Sequence, residues 1–71
     1  MAVRDTDEYK QMTIGRVYFL IYNEADSEEE ELAFWQMLVD TGVAWQLEGW
    51  YGRTAMDLIN SGVIEEPLTK E

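Results

Sequence analysis

The sequence predicts an all-α fold, a compact three-helix domain that closes part of its apolar surface in a homodimer. Three observations predict it. Apolar residues recur at helical spacing in three segments, each bounded by a capping residue or a glycine. The one run with strand character, V17-Y-F-L-I-Y22, is followed by no hairpin turn. And 71 residues with no cysteine but 46% hydrophobic content have too little interior for their apolar mass, which favours self-association over a disulfide staple.

The divisions expected are a flexible amino terminus over residues 1–10, a single helical domain over 11–66 and a polar tail over 67–71. M1-A-V-R-D-T-D-E-Y-K10 is polar and mixed in charge, and is expected to fray or to form a loose first turn. Ile14, Val17, Tyr18, Ile21 and Tyr22 then fall at i, i+3, i+4, i+7 and i+8, a stripe along one face of a helix. The β-branched and aromatic content of that run competes for strand, and the continued spacing decides for helix. N23-E-A-D-S-E-E-E-E31 opens the second helix, with Ser27 as N-cap, Glu30 completing a capping box, and further carboxylates facing the positive helix end. Leu32, Phe34, Trp35, Met37, Leu38 and Val39 make that helix apolar over so much of its circumference that it must be covered on more than one side. Gly42 is placed to stop it. V43-A-W-Q-L47 reads as a helical turn. Gly49 and Gly52 bracket Trp50 and Tyr51, and a third helical pattern runs from Arg53 to Asn60 through Ala55, Leu58 and Ile59. Ser61-Gly62 ends it, and Val63 and Ile64 fold back on the core.

Net charge is −10, and between Val17 and Thr69 eleven carboxylates face one arginine. Direct binding to nucleic acid or to anionic lipid is opposed by that field, and a basic protein is the natural partner. No amino-terminal stretch has the form of a secretory leader, and the longest apolar run is far too short to span a bilayer, so a cytoplasmic, membrane-free location is expected. Without cysteine or histidine the common nucleophilic triads and the usual zinc, haem and iron-sulfur sites cannot be built. Fifteen carboxylates guarantee some pair at glycosidase-like spacing, which strips that spacing of information. An EF-hand loop begun at Asn23 would place Ala25, Glu28 and Phe34 at its third, sixth and twelfth positions, and the pattern fails. No enzyme, cofactor or metal site is expected.

Two segments are candidates for function. Glu24, Asp26, Glu28, Glu29 and Glu31 are either a solvated, well-capped helix start or a docking surface for a basic protein, in its sharpest form a mimic of the nucleic-acid phosphate backbone. W45-Q-L-E-G-W-Y-G-R-T54 holds two tryptophans, a tyrosine, two glycines and Arg53. Its structural reading makes Trp45, Leu47 and Trp50 core and Arg53 an internal counter-charge, paired with Glu48 or Asp57. Its functional reading makes Trp50, Tyr51 and Arg53 a stacking and anion-binding platform for a nucleotide-type small molecule, or a hot spot for a partner.

The run from Leu38 to Ile64 resembles the carboxy-terminal signature of a small bacteriophage and prophage protein family, T-G-[LV]-A-W-Q-L-x-G-x-Y-G-R-T-A-x-x-L-I-x-x-G. Gly42, Trp45, Leu47, Gly49, Tyr51, Gly52, Arg53, Thr54, Leu58 and Ile59 stand at its family positions. No activity comes with that family, and the resemblance implies origin alone. Together with the charge it leads to the expectation of a small acidic phage accessory protein that binds and inhibits or redirects a host protein of defence or nucleic-acid handling. The alternatives are a homo-oligomeric protein that sequesters a nucleotide-type ligand, and a structural or assembly accessory of the virion.

Overall fold

In the computed structural model, which describes residues 2–67, every regular element is helical. A 3-10 turn, Val3–Asp5, leads into α1 (Asp7–Gln11), then α2 (Ile14–Tyr22), α3 (Glu28–Thr41), a second 3-10 turn (Val43–Trp45) and α4 (Gly49–Asn60). No strand occurs among the described residues. Among the described residues four α-helices stand where three are expected, and the addition comes from the amino terminus. Thr6 caps α1 through its side chain, which accepts from the Tyr9 amide, and Thr13 caps α2 in the same way from Arg16. Residues 1–10, expected to fray or to form a loose turn, therefore include a folded turn and most of a short helix, and both pack against α3. Of the polar tail, residues 68–71 lie outside the described residues.

The longest helix is the centre of the molecule. Ala33, Phe34, Trp35, Gln36, Leu38 and Val39 of α3 are all buried, because α1, α2 and both 3-10 turns lie against it. Its covering on several sides is what the width of its apolar face calls for. Val17 and Leu20 of α2, Ala44 of the second 3-10 turn, Tyr51 and Ala55 of α4, and Ile64 complete the core. The radius of gyration, 11.1 Å, equals the value of about 11 Å that compact chains of this length follow.

Both ends of α3 are set by local chemistry. The Ser27 hydroxyl accepts from the Glu30 amide at its start, and Gly42, in the left-handed region at φ 82°, closes its end with its amide on the Val39 carbonyl. A second left-handed glycine, Gly62, ends α4. Its amide bonds to the Ile59 carbonyl while that of Val63 reaches back to Leu58, the paired closure that turns the chain inward and delivers Ile64 to the core.

Two expectations are corrected at this level. The α2 stripe is helical, but Val17 and Leu20 are its buried positions and Ile21 is half-buried, while Ile14 and Tyr18 are half-exposed and Tyr22 is 84% exposed. Spacing placed those residues on one face, and the face turned inward is rotated toward Leu20, where α3 packs on this helix. The helix expected from Arg53 is α4 and begins at Gly49, so Trp50 and Tyr51 belong to its first turn rather than to a glycine-bracketed segment before it.

Candidate functional site

The carboxylates at the start of α3 divide into two groups. Glu30 is structural: its oxygens accept from Arg16 Nε at 2.7 Å and Nη2 at 3.0 Å, and from the Asp26 amide at 2.8 Å. The capping box is thus closed one residue early, on Asp26 rather than on Ser27. The Arg16 hydrogen bonds first, and the Asp26 amide second, hold the Glu30 carboxyl below its ordinary range. Arg16 also reaches Asp26 at 3.2 Å and lies 4.7 Å above the Phe19 ring. The remaining candidates, Glu24, Asp26, Glu28, Glu29 and Glu31, are all exposed. Among the described residues the ion pairs at this end of the molecule use a single cation, Arg16, so the run projects a strong negative field with little compensation.

The segment from Trp45 to Thr54 differs from both of its sequence readings. Tyr51 is buried, its ring 5.8 Å from that of Trp35, and burial, with smaller contributions from Glu48 and Tyr22, raises its hydroxyl above the ordinary range. Trp50 stacks on Tyr51 at 4.0 Å and meets the edge of Trp35 at 6.4 Å, yet it remains half-exposed. Trp45 is half-exposed as well. Leu47 is half-buried against the core. Trp45 and Trp50 are therefore not core residues, because placing Tyr51 inward at the start of α4 turns its sequence neighbour Trp50 toward the rim. Trp45 lies instead across the outer face of α4, where a Cβ at Gly52 would come within 3.2 Å of its ring. The absence of a side chain at Gly52 is what lets the indole settle there. Arg53 is exposed, and no ion pair among the described residues includes it, so it is not an internal counter-charge. Trp45, Trp50 and Arg53 line one open hollow with Gly49, Thr54 and Asp57. The platform suggested by Trp50, Tyr51 and Arg53 is thus rebuilt, with Trp45 in place of the buried Tyr51.

Sequence reasoning missed the most elaborate polar constellation of the molecule. The Asp40 side chain, 5% exposed, receives Arg4 in a two-pronged contact, Nε to Oδ2 at 2.8 Å and Nη2 to Oδ1 at 2.7 Å. The Tyr9 hydroxyl donates to Asp40 Oδ2 at 2.7 Å. Burial and that hydrogen bond push the phenol up to about 12. Arg4 further reaches the Glu65 carboxylate and the Glu66 carbonyl. Beside it Gln36, fully buried, clamps the backbone of Glu65, accepting from its amide at 2.8 Å and donating to its carbonyl at 3.0 Å. The constellation fastens both ends of the described chain to α3. Its centre, Asp40 with Gln36, is covered and its members satisfy one another, with the Glu65 carboxylate half-exposed at the rim, which makes it a structural fastening rather than a site for a ligand. A polar Gln36 and Asp40 on the helix with the widest apolar face were the signal available, since buried polar groups require partners. Their partners lie 29 and 36 residues away.

Among the described residues no group of three or more carboxylates converges in a way that could hold a cation, and no helix is long and apolar enough to cross a membrane. A family model described as a domain of unknown function, DUF7417, matches residues 17–69, and the chain belongs to that family. Comparison with curated proteins and with solved structures gives no match.

Proposed function

We propose that this member of the DUF7417 family is a small acidic, non-catalytic binding module, which docks on a basic surface of another protein through the start of α3 and inhibits or redirects it. The observation that supports this reading is the split among the α3 carboxylates. The one nearby arginine goes to Glu30, with a longer contact to Asp26, and Glu24, Asp26, Glu28, Glu29 and Glu31 stay exposed just before and on a helix start that is already capped by Ser27. Helix capping and dipole compensation need fewer charges than this surface carries. Exposed carboxylates on a rigid helix give association rate and partner choice by complementarity of charge, and against a groove shaped for a polyanion they stand in for phosphates. Phage origin, a basic host target of defence or nucleic-acid handling, and action in the host cytoplasm belong to the same proposal and rest on the resemblance and the charge.

The test is affinity capture from an expressing bacterial host at graded salt, with the native chain and with Glu28→Lys, Glu29→Lys and Glu31→Lys combined. Native capture of a defined basic protein should fall steeply as salt rises, and charge reversal should abolish it. Capture that ignores both salt and reversal would sink the reading.

A second reading is favoured by one observation, the open hollow in which two half-exposed indoles flank an exposed Arg53. There the module sequesters a planar, anionic small molecule of nucleotide type, its ring on Trp45 or Trp50 and its anion on Arg53. A nucleotide co-purifying with the native chain and lost from Arg53→Ala would support it. Ligand-free protein from every preparation would remove it.

A further inference from the structure

We propose that two copies of this chain associate through the exposed face of α2, helix against helix, so that the docking module described above works as a dimer. At 100° per residue Ile14, Tyr18, Tyr22, Gly15 and Phe19 fall in order along one continuous arc of about 140°, and all five are exposed. Tyr22 lines a hollow together with Leu47, Trp50 and the carboxylate of Glu48, which carries the surface onto the start of α4.

Charge selects a second copy as the occupant. The nine residues of α2 contain no carboxylate, and their one charge, Arg16, is held by Glu30 and Asp26. On a chain of net charge −10 the face of α2 lets two copies approach with no carboxylate of that helix set against another, and Glu48 stands at its α4 edge. A basic partner would find no anion on α2 itself to pair with, and only its α4 edge offers one, Glu48. Gly15 points the same way: a Cβ at that position would meet only the Thr13 hydroxyl, at 3.9 Å, so the fold itself makes no use of the missing side chain. A close crossing of two helices would use it.

The area suffices for a modest dimer. At about 150–250 Å² for a whole aromatic side chain, the exposed fractions of Tyr18, Phe19, Tyr22 and Trp50, with Ile14 added, come to roughly 500 Å² per copy. A symmetric pair then buries about 1,000 Å², at the lower bound for a specific interface, where association falls in the micromolar range.

This inference rests on the proposed module but is read without any partner. Molar mass is measured by sedimentation equilibrium on the purified chain over a rising concentration series, at low and at high salt. The native chain should approach twice its monomer mass, and salt should strengthen the association, because apolar burial is favoured while the repulsion of two acidic bodies is screened. Acidic docking has the opposite salt dependence, so failure of one reading is distinguishable from failure of the other. Tyr18→Asp and Tyr22→Asp, at exposed positions, should each hold the chain at monomer mass with an unchanged helical circular dichroism spectrum, and Glu28→Lys should still dimerise. A native chain that stays monomeric at millimolar concentration overturns the proposal. So does a dimer that survives both tyrosine variants, which would locate the contact elsewhere.

Discussion

At the scale of single residues, the side chains with the most definite roles are the polar ones that meet at the central helix. Gln36 is the clearest. Both halves of its amide are spent on the backbone of Glu65, so truncation leaves an amide and a carbonyl without partners where water has poor access. Gln36→Ala should cost about 2–3 kcal/mol, read as a lowered urea midpoint and as faster hydrogen exchange at the Glu65 amide. Arg4→Ala should cost about 2 kcal/mol, because it removes the cation from a nearly buried Asp40 while leaving the carboxylate in place. Tyr9 gives a spectroscopic reading of the same constellation. Its folded value, about 12, lies above the ordinary 10. The stability it contributes is therefore fully present below pH 10 and is lost as pH rises through 12. An absorbance titration of tyrosinate should show a late component that shrinks by one residue's amplitude in Tyr9→Phe, and an unchanged curve would contradict the geometry around Asp40.

At the scale of elements, what was legible in the sequence is what is decided locally. The Ser27 cap and the two closing glycines, Gly42 and Gly62, each depend on bonds within a few residues, and all three read correctly from short patterns. The direction in which a helix turns its stripe is not local. Ile14, Tyr18 and Tyr22 share their spacing with Val17, and only the position of α3 decides that Leu20 goes inward instead. Likewise the inward turn of Tyr51 against Trp35 fixes where Trp50 must go, and the folding of residues 3–11 hangs on an Asp40 that is 36 positions from Arg4. Of the candidate sites, the exposed acidic surface could be anticipated because charge stays in water, whereas the Trp45 and Arg53 hollow could not be drawn correctly without the third dimension. The junction of α2 and α3 carries a pH dependence of its own. Glu30 is held below its ordinary value near 4.5 by Arg16 and the Asp26 amide, so its contribution is present above that value and disappears as pH falls through the lower, folded one. The difference in melting temperature between the native chain and Arg16→Gln should therefore be constant at neutral pH and close below about pH 4.5. A difference that persisted undiminished at pH 2 would show that Arg16 acts through packing on Phe19 and not through Glu30.

At the scale of the whole molecule, the dominant fact is an excess of ten negative charges on a body measuring 27 × 27 × 21 Å. In about 0.01 M salt the screening length, about 30 Å, exceeds those dimensions and every carboxylate repels every other. At 0.3 M and above it falls well under 10 Å, and only near neighbours interact. The opposing attractions are few, since the ion pairs among the described residues involve Arg4 and Arg16 alone, and Arg4 with Asp40 is partly withdrawn from water and so weakly screened. Self-repulsion should therefore outweigh what screening removes from those pairs. The melting temperature should rise as sodium chloride goes from about 0.01 to 0.3 M, and a gain of about 1 kcal/mol would appear in a domain of this size as about 4–8 °C. Protein concentration must be held low and constant, because a dimer strengthened by salt raises the melting temperature by mass action as well. Tyr18→Asp separates the two contributions: the part of the rise that survives in that variant belongs to the single chain. A melting temperature that fell with salt would mean that attractive pairs govern the folded state, and the acidic surface would lose its standing as an uncompensated field.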